Sequence, residues 1–403
     1  MQFYALTNIG FLFQNKNAQI SNASLLIEGD IIKEISSDSN DTFDLEKNQI
    51  FDLEGHSLIP GFIDGHTHPI FNGSRAFELD YKLSGLTYSE ITAKGGGINY
   101  STSLTRKASK EQLKTNLLTF CKNILAHGTT SAEIKTGYHL NIEGELLALE
   151  IIAEAQKDTP VTLIPTFLGA HLVPEEYKGK DENYVQALLE IIPEVRKQGI
   201  AKFTDVFCDK GAFTIDQTLE LIEQSKQNNL PVRLHGEELV RTGIASESAK
   251  RYTGTWIRSI DHLLKATEED FRTMAENGVV ATFMPVAPIV LFDHTWPSYD
   301  VLQRTGIKIG LGSDFNPNSW IYSMQLVISL ATYFMKMPAL ESLVSATETN
   351  ANSLSMPERG VIEVGKKADV VELAITNISE IPYQIGVNNV KRVFKEGKLV
   401  HTN

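Results

Sequence analysis

Two cysteines in 403 residues, Cys121 and Cys208, are too few for a disulfide framework, which excludes the small stapled secreted scaffolds and fits a reducing cytoplasm. Both read as ordinary core residues. Basic residues are also in deficit: 37 Lys and Arg against 50 Asp and Glu give a formal net charge of -13 and a pI near 5.3. Binding to nucleic acid or to an anionic membrane needs clustered cations, so neither is expected as a partner, whereas a small anionic substrate held by one local arginine remains open. No apolar run reaches membrane-spanning length, and Met1-Gln2-Phe3-Tyr4-Ala5 does not begin a basic segment followed by an apolar stretch and a cleavage site. A cytoplasmic protein of bacterial type is expected. What is present is globular: 42% hydrophobic and 22% charged residues suffice for a sizeable core.

The chain is longer than one ordinary domain, and its two ends differ from its middle. Residues 1–58 carry short alternating segments such as Ser24-Leu25-Leu26-Ile27-Glu28 and Ile31-Ile32-Lys33-Glu34-Ile35 around a turn at Gly29-Asp30. The stretch 356–403 repeats the style, with Val390-Lys391-Arg392-Val393-Phe394, a turn at Glu396-Gly397, and Lys398-Leu399-Val400. Isolated hairpins are marginal in water, so the two ends are expected to join in one small composite β-sandwich domain. Residues 59–355 alternate short apolar strands with longer helical patterns, the mark of βαβ units. Eight strands are expected: Ile59–Asp64, Thr129–Ile134, Thr162–Phe167, Phe203–Phe207, Pro231–Leu234, Ser259–Asp261, Val279–Phe283 and Lys308–Gly312. Eight units predict a (β/α)8 TIM-like barrel with its site at the carboxyl ends of the strands.

Titratable residues fall where that architecture needs them. His66 and His68 follow the first strand, and the later strands end near Lys135, His171, Asp205, His235 with Glu238, Asp261 with His262, and Asp314. Side chains two apart on a strand point the same way, so one segment can aim both imidazoles of the His66-Thr67-His68 run at one ion. Nitrogens from His66, His68 and His235 with one oxygen of Asp314 suit a single borderline divalent ion, zinc or iron, and leave a position for water. Such an ion brings the pKa of bound water to about 7. A two-metal site is not expected, because Phe203–Cys208 ends without a bridging lysine. His56, His127, His139, His294 and His401 show no such placement and read as ordinary histidines, His127 packing beside a strand. Gly95-Gly96-Gly97 lacks the context of a nucleotide loop and reads as a flexible loop near the site, with Tyr100 lining the pocket.

These residues resemble the amidohydrolase superfamily and, within it, the imidazolonepropionase family. The likeness runs through Asp64-Gly65-His66-Thr67-His68, Asn72-Gly73-Ser74-Arg75-Ala76, Lys94-Gly95-Gly96-Gly97-Ile98, Glu133-Ile134-Lys135-Thr136-Gly137-Tyr138, Thr166-Phe167-Leu168-Gly169-Ala170-His171, Asp205-Val206-Phe207-Cys208 and Asp314-Phe315-Asn316-Pro317. The resemblance implies His66, His68, His235 and Asp314 as metal ligands, and Arg75, Tyr138, His171 and Glu238 around the substrate. It implies an arginine, Arg75, for a propionate carboxylate, since a guanidinium fork matches that group. His171 is expected to donate to or orient the ring carbonyl region, Glu238 and Asp314 to relay protons, and His262 to stabilise an oxyanion. Asn316, Asn318 and Ser319 occupy the loop that contacts the amino acid portion of the product in the family.

The sequence departs from the family pattern at Ser74, where Asp is usual, at Asn318, where Gly is usual, and at Gly236, where Ala is usual. The expected activity is hydrolysis of the cyclic amide of 4-imidazolone-5-propanoate to N-formimidoyl-L-glutamate in histidine degradation. The alternatives are another amidohydrolase reaction, such as nucleobase deamination or opening of a different cyclic amide, and a barrel that serves only as a binding subunit. Superfamily habit adds a homodimer.

Overall fold

The computed structural model describes residues 3–403; Met1 and Gln2, which open the stretch read above for a leader, lie outside the described residues. Among the described residues no helix is long and apolar enough to cross a membrane.

Strands Phe62–Asp64, Thr129–Lys135, Thr162–Ala170, Phe203–Cys208, Val232–Gly236, Ile257–His262, Val280–Phe283 and Ile309–Leu311 pair in chain order, every neighbour parallel. They are called the first to eighth barrel strands below. The seam between first and eighth is closed by Gly65 N–H donating to Leu311 O (3.1 Å) and by the side chain of Asn350, whose Nδ2 donates to Ile63 O (2.7 Å) and Leu311 O (2.6 Å). That amide needs room: a Cβ on Gly65 or Gly310 would come within 2.8 or 2.7 Å of Asn350 Oδ1.

Helices cover the barrel for the usual amphipathic reason. Lys110–Ala126 is started by Ser109, whose side chain accepts from Gln112 N, and it buries Leu113, Leu117, Phe120, Cys121 and Ile124, spaced to share one face. His127 ends this helix with Nδ1 on Asn123 O (2.9 Å), two residues before the second barrel strand. Cys121 and Cys208 are both buried and unpaired.

The expected strand Ile59–Asp64 is two strands. Ser57–Pro60 belongs to the other sheet, pairing antiparallel with Val370–Leu373, and the chain crosses into the barrel at Gly61. A Cβ at Gly61 would lie 2.3 Å from Thr130 Oγ1, so the crossing requires glycine. The second sheet runs, in spatial order, Lys398–Thr402, Val390–Lys395, Val370–Leu373, Ser57–Pro60, Phe3–Asn15, Ala18–Glu28 and Ile31–Ser36, with Ile50–Asp52 beside Phe3–Asn15. Glu396 and Gly397 both have positive φ, as a tight hairpin turn demands. The edge strand Ile31–Ser36 bonds back to the stretch before Val370, so the sheet folds over its own core of Leu6, Leu25, Ile27, Ile32, Val370 and Phe394.

Candidate active site

At the carboxyl end of the barrel the first strand delivers His66 and His68, the fifth His235, and the turn after the eighth Asp314; all four are buried. Nε2 of His68 lies 2.9 Å from Nε2 of His66 and 3.3 Å from Nε2 of His235. Asp314 Oδ1 stands 3.8 Å from His66 Nε2 and 3.6 Å from His68 Nε2. His66 Nδ1 faces Asp261 Oδ2 at 2.7 Å and His235 Nδ1 faces Asp205 Oδ1 at 3.0 Å, which puts each ring proton on Nδ1 and leaves Nε2 as a lone pair. Burial lowers the pKa of His66, His68 and His235 well below the usual range, with the Lys135 charge adding to the effect on all three. Two lone pairs thus aim at one nitrogen of a third neutral imidazole beside a carboxylate. This acceptor-rich set of nitrogen and oxygen donors fits a borderline divalent cation.

Beneath the imidazoles lies a layer of paired charge. Lys135 Nζ reaches Glu133 (2.9 Å), Asp205 (2.5 Å) and Asp261 (3.5 Å), while Arg233 reaches Glu133 (2.9 Å) and Asp261 (3.4 Å). Burial opposes charge on Lys135, but the carboxylates of Asp205, Glu133 and Asp261 outweigh it and hold the ammonium pKa above its ordinary value. Lys135, Asp205 and Asp261, strand-end residues in the sequence pattern, therefore sit under the site and orient its ligands. Glu133 and Arg233 were missed, because a single charge inside an apolar strand gives no sign of where it points.

Above the imidazoles opens a cavity of about 530 Å³, within the range of small-molecule sites. His68, Arg75, Tyr138, His171, His235, Glu238, His262, Asp314, Asn316 and Asn318 all line it. His66 lies deeper, and Ser319 stands outside the lining, exchanging backbone bonds with Asn316 (2.8 and 3.0 Å). Tyr100 is also absent from the lining, its ring packing edge-on against Phe77 at 5.0 Å. Arg75 is clasped by Glu78 through Nε (2.8 Å) and Nη2 (2.9 Å), so a buried carboxylate orients the guanidinium. Glu78 also accepts from Gly97 N (2.6 Å), which pins the last glycine of the run as the first residue of helix Gly97–Lys107, Gly95 and Gly96 forming the short link from the preceding helix.

His171 arrives after a bulge in the third strand between Phe167 and Ala170. Its Nδ1 meets Gly137 O at 2.9 Å, and burial lowers its pKa to about 4. A neutral ring whose Nδ1 proton is committed to a carbonyl offers Nε2 as an acceptor, which suits His171 to orienting a substrate ring rather than donating to it.

Two carboxyls face the cavity in different states. Burial raises Glu238 well above the usual range, with the charges of Asp314 and Asp209 adding to it; burial raises Asp314 to about 7, which a cation among the histidines would oppose. Glu238 Oε1 lies 3.4 Å from Nδ1 of His262, whose pKa burial lowers to about 3. Asp209, another residue missed, accepts from the amides of Glu238 (2.9 Å), Leu239 (2.8 Å) and Val240 (3.1 Å) and so holds the Glu238 loop against the site. Its only signal in sequence was an acid after a strand end, thirty residues before the amides it binds. Glu237, His262 and Asp314 all have positive φ (55, 74 and 51°), a strained state for side chains other than glycine, costing of order 1–3 kcal/mol each.

The family model described as "Amidohydrolase family" matches residues 57–400. The chain is 35% identical over 387 residues to the imidazolonepropionase of Clostridium tetani (strain Massachusetts / E88), covering 95% of this chain and 91% of that one. It is 38% identical over 359 residues to the imidazolonepropionase of Geobacillus kaustophilus (strain HTA426), covering 88% and 84%. Among solved structures, the 5-methylcytosine deaminase from Klebsiella pneumoniae liganded with 5-fluorocytosine superposes with a TM-score of 0.76 over 99% of this chain and 97% of that one at 15% identity. A mutant atrazine chlorohydrolase from Arthrobacter aurescens TC1, complexed with zinc and atraton, gives 0.72 over 99% and 95% at 14% identity. Likeness at such low identity shows a shared fold alone. The near full-length matches go further: the chain belongs to the amidohydrolase family and, within it, to the imidazolonepropionases.

Proposed function

We infer that this chain hydrolyses the cyclic amide C–N bond of 4-imidazolone-5-propanoate to give N-formimidoyl-L-glutamate, a step of histidine degradation. The observation that carries this reading is the match to imidazolonepropionases along more than nine-tenths of the chain. In this reading His66, His68, His235 and Asp314 hold one divalent ion, zinc or iron. Such an ion activates water and polarises the ring carbonyl when bound.

The chain's own groups divide the remaining work. Asp314, whose carboxylate stands beside the histidines, takes the proton released as water adds to the carbonyl carbon. His262, whose Nδ1 stands 3.4 Å from Glu238 Oε1, turns a ring N–H toward the developing oxyanion. Glu238 then passes its proton to the ring nitrogen as the C–N bond breaks, two carboxyls being set to opposite tasks by their surroundings. His171 accepts a ring N–H at Nε2, and Arg75, oriented by Glu78, faces the propionate carboxylate. Tyr138, Asn316 and Asn318 shape the walls, with Ser319 bracing the Asn316 turn from behind.

A small anionic substrate, a cytoplasmic setting and a homodimer complete the proposal. Loss of the imidazolone absorbance on adding metal-replete protein is the expected result. Release of ammonia, or no turnover by protein carrying stoichiometric metal, overturns the reading. Light scattering of the eluted protein tests the dimer.

A further inference from the structure

Lys82 plays no part in the scheme above, yet its ammonium joins three separate segments at the mouth of the cavity. It sits on helix Glu78–Leu83, which follows the first barrel strand and is anchored by the Arg75–Glu78 clasp and by Gly97 N on Glu78. Nζ donates to Asn318 Oδ1 at 2.6 Å, in the turn after the eighth strand, and to Val290 O at 3.0 Å, in helix Ala287–Leu291 after the seventh. Asn318 and Val290 both line the cavity, on different walls. From Asn318 the chain of bonds runs inward: its amide donates to Asn316 Oδ1 (2.8 Å), and Asn316 Nδ2 donates to Asp314 O (2.8 Å).

Both acceptors are neutral, so this is no surface ion pair. A part-buried ammonium held by a side-chain amide and a carbonyl near a helix C-terminus is fixed by geometry, and it satisfies a carbonyl that the short helix leaves over. Without a side-chain acceptor at position 318 the ammonium would hold Val290 O alone.

We propose that Lys82 is a positioning residue that latches the Asn316–Ser319 turn to helix Ala287–Leu291, fixing the width of the substrate cavity and thereby substrate affinity. The proposal rests on the substrate reading for its kinetic consequence and on geometry alone for its structural one, and the two are tested separately. Lys82→Met keeps the aliphatic stem and removes both bonds. Its expected effect is a rise in KM of roughly tenfold with kcat within about twofold of the parent, the scale of losing hydrogen bonds from a charged donor. Lys82→Arg, which keeps charge and donors, recovers most of the loss. In an Asn318→Gly background the same Lys82→Met change has a smaller effect, because half of the latch is already gone.

Amide exchange supplies a readout that needs no substrate. The amides of Ala287, Ile289, Val290, Asn316, Asn318 and Ser319 in Lys82→Met exchange roughly tenfold faster than in the parent, while the barrel strands do not change. Unchanged exchange in those segments overturns the latch whatever the kinetics. Faster exchange with unchanged KM, or a loss confined to kcat, overturns its role in affinity. A parent protein that is inactive on the imidazolone but shows the faster exchange in the variant keeps the latch and removes the substrate reading.

Discussion

Two layers of titratable side chains fill the barrel interior, stacked one on the other, and burial has opposite consequences in them. In the upper layer desolvation, with the Lys135 charge adding to it, outweighs the carboxylates beside His66, His68, His235 and His262, so all are driven neutral and become electron-pair donors. In the lower layer Lys135 and Arg233 are as deeply buried, but Glu133, Asp205 and Asp261 surround them and their charges persist. The layers touch through Asp205 and Asp261, each of which serves a cation below and an imidazole above. Burial produces a metal-ready surface where desolvation outweighs the neighbouring counter-charge, and the lower layer supplies the fixed orientation that neutral rings lack.

The largest effect is expected from breaking the upper layer. His235→Ala or Asp314→Asn should reduce kcat/KM by at least about a thousandfold, or ~4 kcal/mol of barrier, with a native circular dichroism spectrum and a deficit of bound metal. Breaking the lower layer should act on stability instead. Lys135→Met leaves three carboxylates around one remaining cation, and a loss of about 3–5 kcal/mol is expected in urea unfolding. Cutting the link between layers is milder. Asp261→Asn or Asp205→Asn keeps the shape but weakens the hold on an imidazole, so metal affinity by competitive chelation should drop about 10–100-fold.

A further test, of stability alone, uses a buried imidazole that belongs to neither layer. Burial, helped by Arg106, lowers His139 to about 4, below the ~6.5 of an unfolded chain. Its contribution to stability is therefore present above pH 6.5 and is lost as pH falls toward 4, by up to ~3 kcal/mol. His139→Gln should flatten the fall in urea midpoint over that window by part of this amount, and an unaltered slope would count against desolvation as the cause.

Much of this organisation was legible because barrel strands are short apolar runs with polar residues at one end, a pattern that survives without knowledge of neighbours. His66, His68, His235 and Asp314 stood out for that reason. What escaped were relations between distant residues. Asn350 closes the barrel by reaching two strands 287 and 39 positions away, and nothing in its surroundings along the chain marks it. Arg75 was read as a partner for substrate; that Glu78, at the start of the helix three residues on, orients it depends on a rotamer no spacing rule supplies. The run Ile59–Asp64 looks like one strand because both halves are apolar; only the crowding of Gly61 against Thr130 reveals that the backbone changes sheets there.

The left-handed backbone at Glu237, His262 and Asp314 sets a direction for how this protein would age under relaxed selection. Glycine or asparagine at His262 or Asp314 eases the local conformation, whereas Glu237 is held by the amides of Thr242, Gly243 and Ala245, so variants chosen only for heat resistance should gather replacements at the first two positions. The survivors would melt later and turn over nothing, a drift toward durable, inert barrels that only a continuing demand for turnover holds back.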